Sequence, residues 1–327
     1  MKNIVCIGGG TGTFVALRGL KQYPYRLSAI VSMADSGGSN KRIRDEFGLL
    51  PTSDLRQCLV ALSDENGGVG LLRQLFMYRF EKGQGISGMT FGNLFMAALS
   101  DILGSQEEAI RQTSKVLRIK GSVIPVTFTD ANLHAEYENG HKATEEHHID
   151  MPRQDGKLRI ERIWLEPRAI ANPEALLAIA SADLIVLGPG DLFTSLLPNL
   201  LVDGIAEALM KAKAPKVYVG NLMTKWGQTY NFTAADHLKI LEQYIGPCIN
   251  VVLVNTGAIP KKALDFYANY HEQPVRNDLI DSKRLRVVKA DMVNRKLIQK
   301  TKTDALVRSL IRHDSDKLAK TLVTLVS

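Results

Sequence analysis

The chain reads as an α/β protein with a doubly wound, mostly parallel sheet and a small antiparallel insertion. Three observations predict this. Five short apolar runs, ending at Ile7, Ala34, Leu187, Val219 and Val254, each lead into a loop of Gly, Ser, Thr or Asn. Stretches with apolar residues at helical spacing alternate with those runs, the rhythm of β–α units in a parallel sheet. Around residues 122–167 the rhythm changes to two-residue alternation with a hairpin signal at Asn139-Gly140. The chain, residues 1–327, is therefore read as a single domain carrying a β-rich insertion at about 122–167.

The first run, Ile4-Val5-Cys6-Ile7, enters Gly8-Gly9-Gly10-Thr11-Gly12-Thr13 and then a helical pattern at Phe14, Val15, Leu17 and Leu20. A strand, a glycine turn and a helix start form a phosphate cradle, because glycines admit an anion close to backbone N–H groups at the helix N-terminus. Thr11 and Thr13 add hydroxyls. The spacing is G-x-G-x-G, so the dinucleotide fingerprint is only partly met, and a plain tight turn is the alternative. Ser28 to Ala34 is a second buried strand. It runs into Asp35, Ser36, Gly37, Gly38, Ser39 and Asn40, where an acid at a strand tip precedes a nest of N–H groups. The alternative there is a plain Gly/Ser loop.

Thr52 or Ser53 is placed to cap a helix carrying Leu55, Leu59 and Leu62, with Asp54 and Arg56 as ordinary charges of its first turn. Further helical patterns run from Val69 to Phe80, Leu94 to Leu103 and Gln106 to Leu117. Asn93 is read either as the cap of its helix or as an amide offered to a ligand. His134, His141, His147 and His148 lie in polar hairpin sequence without ligand spacing and are read as surface residues. Pro173 starts a helix. The strand at Asp183 to Leu187 ends in Gly188, Pro189, Gly190, Asp191, Leu192, Phe193, Thr194 and Ser195. The strand Lys216 to Val219 ends in Gly220, Asn221, Leu222, Met223 and Thr224. Ile249 to Val254 ends in Asn255-Thr256-Gly257, and Ser315 to Val326 closes the chain as an amphipathic helix.

Composition narrows the classes. Hydrophobic residues are 45% and charged residues 23% of the chain, an ordinary globular balance. No apolar run has the length of a membrane span, and no signal peptide is expected. Cys6, Cys58 and Cys248 lack metal-like spacing and read as reduced core residues. The net charge is +7, and basic residues cluster at Lys283, Arg284, Arg286, Lys289, Arg295, Lys296, Lys300 and Lys302. That favours anionic partners in general. Without interleaved aromatics or a recognisable module, nucleic acid is not expected. No G-x-x-x-x-G-K-[ST] is present, Ser195 follows no G-x-S-x-G elbow, and no dedicated metal ligands are predicted.

In an open parallel sheet, ligands bind beyond the carboxyl ends of the strands near the switch in strand order. The five loops would then surround one crevice rich in N–H groups and hydroxyls and poor in acids, Asp35 and Asp191 excepted. Such a crevice suits a nucleotide diphosphate. Gly9 to Thr13 and Ser36 to Asn40 would hold the diphosphate. Gly188 to Ser195 and Asn221 to Thr224 would hold base and ribose.

The motifs Gly8-Gly9-Gly10-Thr11-Gly12, Asp35 to Arg44, Asp54-Leu55-Arg56, Gly92-Asn93-Leu94 and Gly188-Pro189-Gly190-x-x-x-Thr194-Ser195-x-x-Pro198-Asn199-Leu200 resemble the YvcK-type gluconeogenesis-factor (UPF0052) branch of the CofD-like superfamily. The match keeps the same order along nearly the whole chain. It implies a Rossmann-like fold with an insertion, and a cytoplasmic bacterial protein binding UDP-sugars such as UDP-N-acetylglucosamine. The implied role is in cell shape during gluconeogenic growth. Arg312-His313 resembles the Arg-His pair whose arginine is implicated in UDP-sugar binding; a bidentate contact from Arg312 to phosphate would follow. The other branch implies a 2-phospho-L-lactate transferase, with Asp35 binding or deprotonating the acceptor hydroxyl and magnesium bridging the phosphates. Ser36 stands where the family's run has a second acid, which weighs against transfer. NAD is expected only as an adventitious ligand, since no hydride-transfer pair is readable. A basic scaffold acting through the C-terminal cluster is the last alternative. A homodimer is the default expectation for a soluble oligomer.

Overall fold

The computed structural model describes residues 1–37, 39–65, 68–297 and 310–326. Its strands are β1 (Asn3–Gly8), β2 (Arg26–Val31), β3 (Ser122–Pro125), β4 (Asn132–Tyr137), β5 (Lys142–Thr144), β6 (Ile160–Glu166), β7 (Leu184–Leu187), β8 (Lys216–Val219), β9 (Val251–Asn255), β10 (Arg286–Ala290), β11 (Val293–Asn294) and β12 (Arg312–His313). Seven of them form one sheet in the order β10-β9-β8-β7-β1-β2-β3, with every pair parallel. The order reverses at β1 and β7, so the switch point lies between the two glycine loops.

Burial explains why these runs read as continuous apolar stretches. On β1, Ile4 and Cys6 face one hydrophobic core while Val5 and Ile7 face another. The Ile4 side is covered by the helices Gly10–Leu20, Ser53–Leu62 and Ser315–Val323, through Leu17, Leu59 and Leu322. The Val5 side is covered by Pro173–Ala180, Ile205–Lys211 and Ala234–Ile245, and by the antiparallel sheet β5-β4-β6. A strand buried on both faces has no polar side to show, which is the signature of a parallel sheet. Cys6, Cys58 and Cys248 are buried and free.

Three expected boundaries move. The second strand leaves the ladder at Val31 instead of Ala34, because the Ser32 hydroxyl accepts the Ala34 N–H at 3.2 Å and turns the chain. Residues 122–125, grouped with the insertion by their alternation, pair with β2 as the parallel edge strand. The helix Phe91–Leu103 is capped by Thr90, whose side chain accepts the Asn93 N–H. Among the described residues no helix is long and apolar enough to cross a membrane.

Candidate functional site

The carboxyl ends of β1, β2, β7 and β8 open into one cleft of about 1020 Å³. Its floor is made where two glycine loops meet. Gly10 sits at φ +60°, a left-handed conformation that side chains resist, and starts the helix Gly10–Leu20. A Cβ on Gly12 would stand 2.0 Å from the Pro189 carbonyl oxygen, so glycine is what lets the two loops touch across the switch point. The β7 loop then winds through a π-helical turn, Leu192–Leu196, in which the Ser195 and Leu196 N–H groups both donate to the Asp191 carbonyl. Such turns recur at functional sites.

Of the expected ligand residues, Gly9, Gly10, Thr11, Gly12, Asp35, Gly37, Pro189, Gly190, Thr194, Ser195, Asn221, Met223, Thr224 and Arg312 line this cleft. Several others do not. Thr13 is buried and its hydroxyl donates to the Gly9 carbonyl at 3.2 Å. The Ser36 hydroxyl is buried and accepts the His147 N–H at 3.0 Å. Asn40 is buried and accepts from Ser53. Asn93 is fully buried and does not cap its helix. Gly188 lies beneath the loop against Leu196. Ser39 opens the helix Ser39–Phe47, and Gly38 lies outside the described residues. So do Lys300 and Lys302 of the basic cluster. The fifth loop, Asn255-Thr256-Gly257, opens into a separate pocket of about 200 Å³ that shares Asn221 and Leu222 with the cleft.

The cleft is far more acidic than the sequence predicts. Besides Asp35 and Asp191 it is lined by Asp54, Glu146, Asp150 and Glu272. Asp54 accepts the Gly10 N–H, and its carboxyl lies where a Cβ on Gly9 would be, 2.1 Å from that position. Burial and the neighbouring Asp35 push Asp54 up to about 7. Burial, then Asp35 and Asp150, hold Glu146 well above the usual carboxylate range. Burial raises Glu272 to about 7. Asp150 has the opposite fate. Burial works against its charge, but Lys225 outweighs it and lowers the pKa. Lys225 itself bridges Asp150 and Asp191, the latter at 2.7 Å, so burial fails to discharge it and its pKa is raised.

Glu146, His147 and Asp150 come from the short helix Glu146–Asp150 of the antiparallel insertion. His147 therefore belongs to the cleft wall, which corrects its assignment to the surface, while His141 and His148 are exposed and half-buried His134 stacks on Trp164. Across the cleft stand Trp226 and His271, with ring centroids 4.6 Å apart, and Tyr270. On β12, Arg312 lines the cleft beside His313, whose burial lowers its pKa to about 4 against an opposing bond to the Gly220 backbone. Among the described residues no three His, Cys, Asp or Glu side chains converge as a metal cage.

The chain is similar to known proteins along most of its length. The chain matches the family described as 2-phospho-L-lactate transferase CofD over residues 4–297. The gluconeogenesis factor of Bacillus subtilis (strain 168) is 42% identical over 328 residues, covering 99% of this chain and 98% of that protein. The gluconeogenesis factor of Halalkalibacterium halodurans is 42% identical over 290 residues, covering 88% of this chain and 87% of that one. The crystal structure of protein BH3568 from Bacillus halodurans superposes with a TM-score of 0.87 at 37% identity, over 98% of this chain and 99% of that chain.

Proposed function

The chain belongs to the CofD family, with relatives named gluconeogenesis factor, and we propose that it is a cytoplasmic regulatory protein whose cleft binds a nucleotide diphosphate of the UDP-sugar class, such as UDP-N-acetylglucosamine. The observation that carries this is the contact of the Gly9–Gly12 turn with Pro189–Gly190 at the switch point of a parallel sheet. The turn's other backbone N–H groups at the helix start, beyond the Gly10 N–H that Asp54 takes, would supply an anion cradle there. The diphosphate would lie on this cradle with Arg312 as a bidentate partner. The base and ribose would lie toward Thr194, Ser195 and Asn221 to Thr224. The cellular role would be in cell shape during gluconeogenic growth.

A second function has its own support. Asp35, Asp54 and Glu146 border the same cradle, and Asp54 is poised near neutrality. A group transferase would use such a carboxyl to take a proton from an acceptor hydroxyl. Calorimetric titration with UDP-N-acetylglucosamine, UDP-glucose, GDP and NAD, with and without magnesium, separates the two. A regulatory protein binds the UDP-sugar, leaves it intact on long incubation and loses affinity in Arg312→Ala. A preference for GDP with magnesium, lost in Asp35→Ala, reverses the order. Failure to bind any of the four sinks both.

A further inference from the structure

Four stretches of the sequence meet at the cleft wall, where Ser53 and Arg56 line it. The Arg56 guanidinium, 4% exposed, donates through Nε to the Asn93 Oδ1 at 3.0 Å and through Nη1 to the Phe76 carbonyl at 3.3 Å. Asn93 Nδ2 donates to the Ser53 hydroxyl at 3.0 Å. The Ser53 hydroxyl and N–H both donate to Asn40 Oδ1, at 2.9 and 3.2 Å. Arginine can only donate, so every step has a fixed direction: Arg56 orients the Asn93 amide, which orients Ser53, which orients Asn40. The chain of bonds grips the first turn of Ser53–Leu62, the turn that carries Asp54. Gly92 belongs to the same device, since a Cβ there would stand 2.6 Å from the Arg56 Cδ and 2.8 Å from the Phe76 carbonyl.

We infer that Arg56, Asn93, Ser53 and Asn40 are positioning residues that hold the Asp54 carboxyl against the Gly9–Gly10 backbone. Asp54 faces Asp35 from the β2 loop, Glu146 from the short helix of the insertion and Arg56 from its own helix, with Cys58 one turn further on. With its guanidinium held by Asn93 and the Phe76 carbonyl, Arg56 is kept from closing on Asp54. The part that concerns ligand rests on the UDP-sugar function proposed above.

The test has two arms. In ligand-free protein labelled at the aspartate carboxyl carbon, the Asp54 resonance is followed against pH. Asn93→Ala frees Arg56 to pair with Asp54, so the midpoint falls by about one pH unit or more. Asn93→Asp keeps Arg56 bound and adds a negative charge, so the midpoint rises. A residue that only supports the fold would not move the two in opposite directions. Equal shifts, or none, overturn the inference, and if the alanine variant fails to fold, Asn93→Ser, which also withdraws the amide from Arg56, takes its place. In the second arm, UDP-N-acetylglucosamine affinity is measured in a cycle of Asn93→Ala and Asp54→Asn. Asn93→Ala weakens binding about tenfold in the parent, some 1.4 kcal/mol, and has no further effect once Asp54 is Asn. Equal weakening in both backgrounds, or an Asp54→Asn variant that binds as the parent does, overturns it. If the parent binds no UDP-sugar, the proposed function fails while the first arm still decides the relay.

Discussion

Gly12→Ala separates the cradle from an ordinary helix start. Residue 12 is the third position of the helix Gly10–Leu20, where alanine is the better helix former by about 1 kcal/mol. Helix propensity alone therefore predicts a stabilised variant. The packing predicts the reverse. The new Cβ would lie 2.0 Å from the Pro189 oxygen, 2.6 Å from the Pro189 carbonyl carbon and 3.1 Å from the Gly190 nitrogen. All three are backbone atoms, so no side chain can swing away. Relief needs the two loops to part by about 1 Å, and overpacking of this kind costs about 1–3 kcal/mol. After the propensity gain the net loss is about 0–2 kcal/mol, or up to roughly 3 °C in Tm for a chain of this size. Because the loops part at the cradle, UDP-N-acetylglucosamine affinity falls at least about tenfold. Gly10→Ala is the contrast. Its Cβ has room, 3.6 Å from Asp54 Oδ1, and pays only for φ +60°, about 1 kcal/mol. Differential scanning calorimetry and calorimetric titration on both variants suffice. A Gly12→Ala protein with raised Tm and unchanged affinity would refute the contact between the loops as the ligand cradle.

Asp54 ordinarily titrates at 3.8 and does so at about 7 in the fold, so between those values only the folded state binds the proton. Stability therefore falls as pH rises from about 4 to 7 and levels off above, and Asp54→Asn removes this contribution from a Tm-against-pH profile. Glu272 contributes a slope of the same sign that the variant retains. Lys225→Met leaves Asp150 and Asp191 facing each other without their cation. With side chains a quarter or more exposed, the loss is about 2 kcal/mol by urea unfolding at pH 7.5, shrinking as the pH falls and Asp150 takes up a proton. His313 stays neutral across the working range, because burial lowers its pKa to about 4; its ring proton resonance will not move between pH 5.5 and 8.

What was legible in the sequence was the part governed by short-range rules. Runs such as Leu184-Ile185-Val186-Leu187 lack a polar face because both faces are covered, and the loops after them align because the strands are parallel. The site's acids were not legible for the same reason in reverse. Asp54 has the position of an ordinary first-turn acid, and only the fold places it under Gly9. Glu146, His147 and Asp150 lie on a five-residue helix too short to show a period. Thr90, three residues before Asn93, takes the cap, and nothing in the local sequence shows that the Asn93 amide meets Arg56. Part of a sequence signal existed for the relay: Arg56 and Asn93 fall in the motifs Asp54-Leu55-Arg56 and Gly92-Asn93-Leu94, while Ser53 lies just before the first, and nothing in their spacing says that they touch.

The charge of the chain and the charge of its cleft point opposite ways, and that bears on how an anion would be recognised. The formal +7 is spread over surfaces such as Lys283, Arg286 and Lys289, while six carboxylates line the cleft. Two of the cations there are committed elsewhere, Lys225 to Asp150 and Asp191, and Arg56 to Asn93 and the Phe76 carbonyl. Attraction of a diphosphate thus falls to backbone N–H groups, to the helix start at Gly10 and to rim arginines such as Arg312. Fixed dipoles set in an acidic wall reward an anion only where its oxygens meet the donors and penalise it a few ångströms away. A site of this construction selects a phosphate by its placement more than by its charge, which is what a protein responding to one nucleotide sugar among many cellular anions requires.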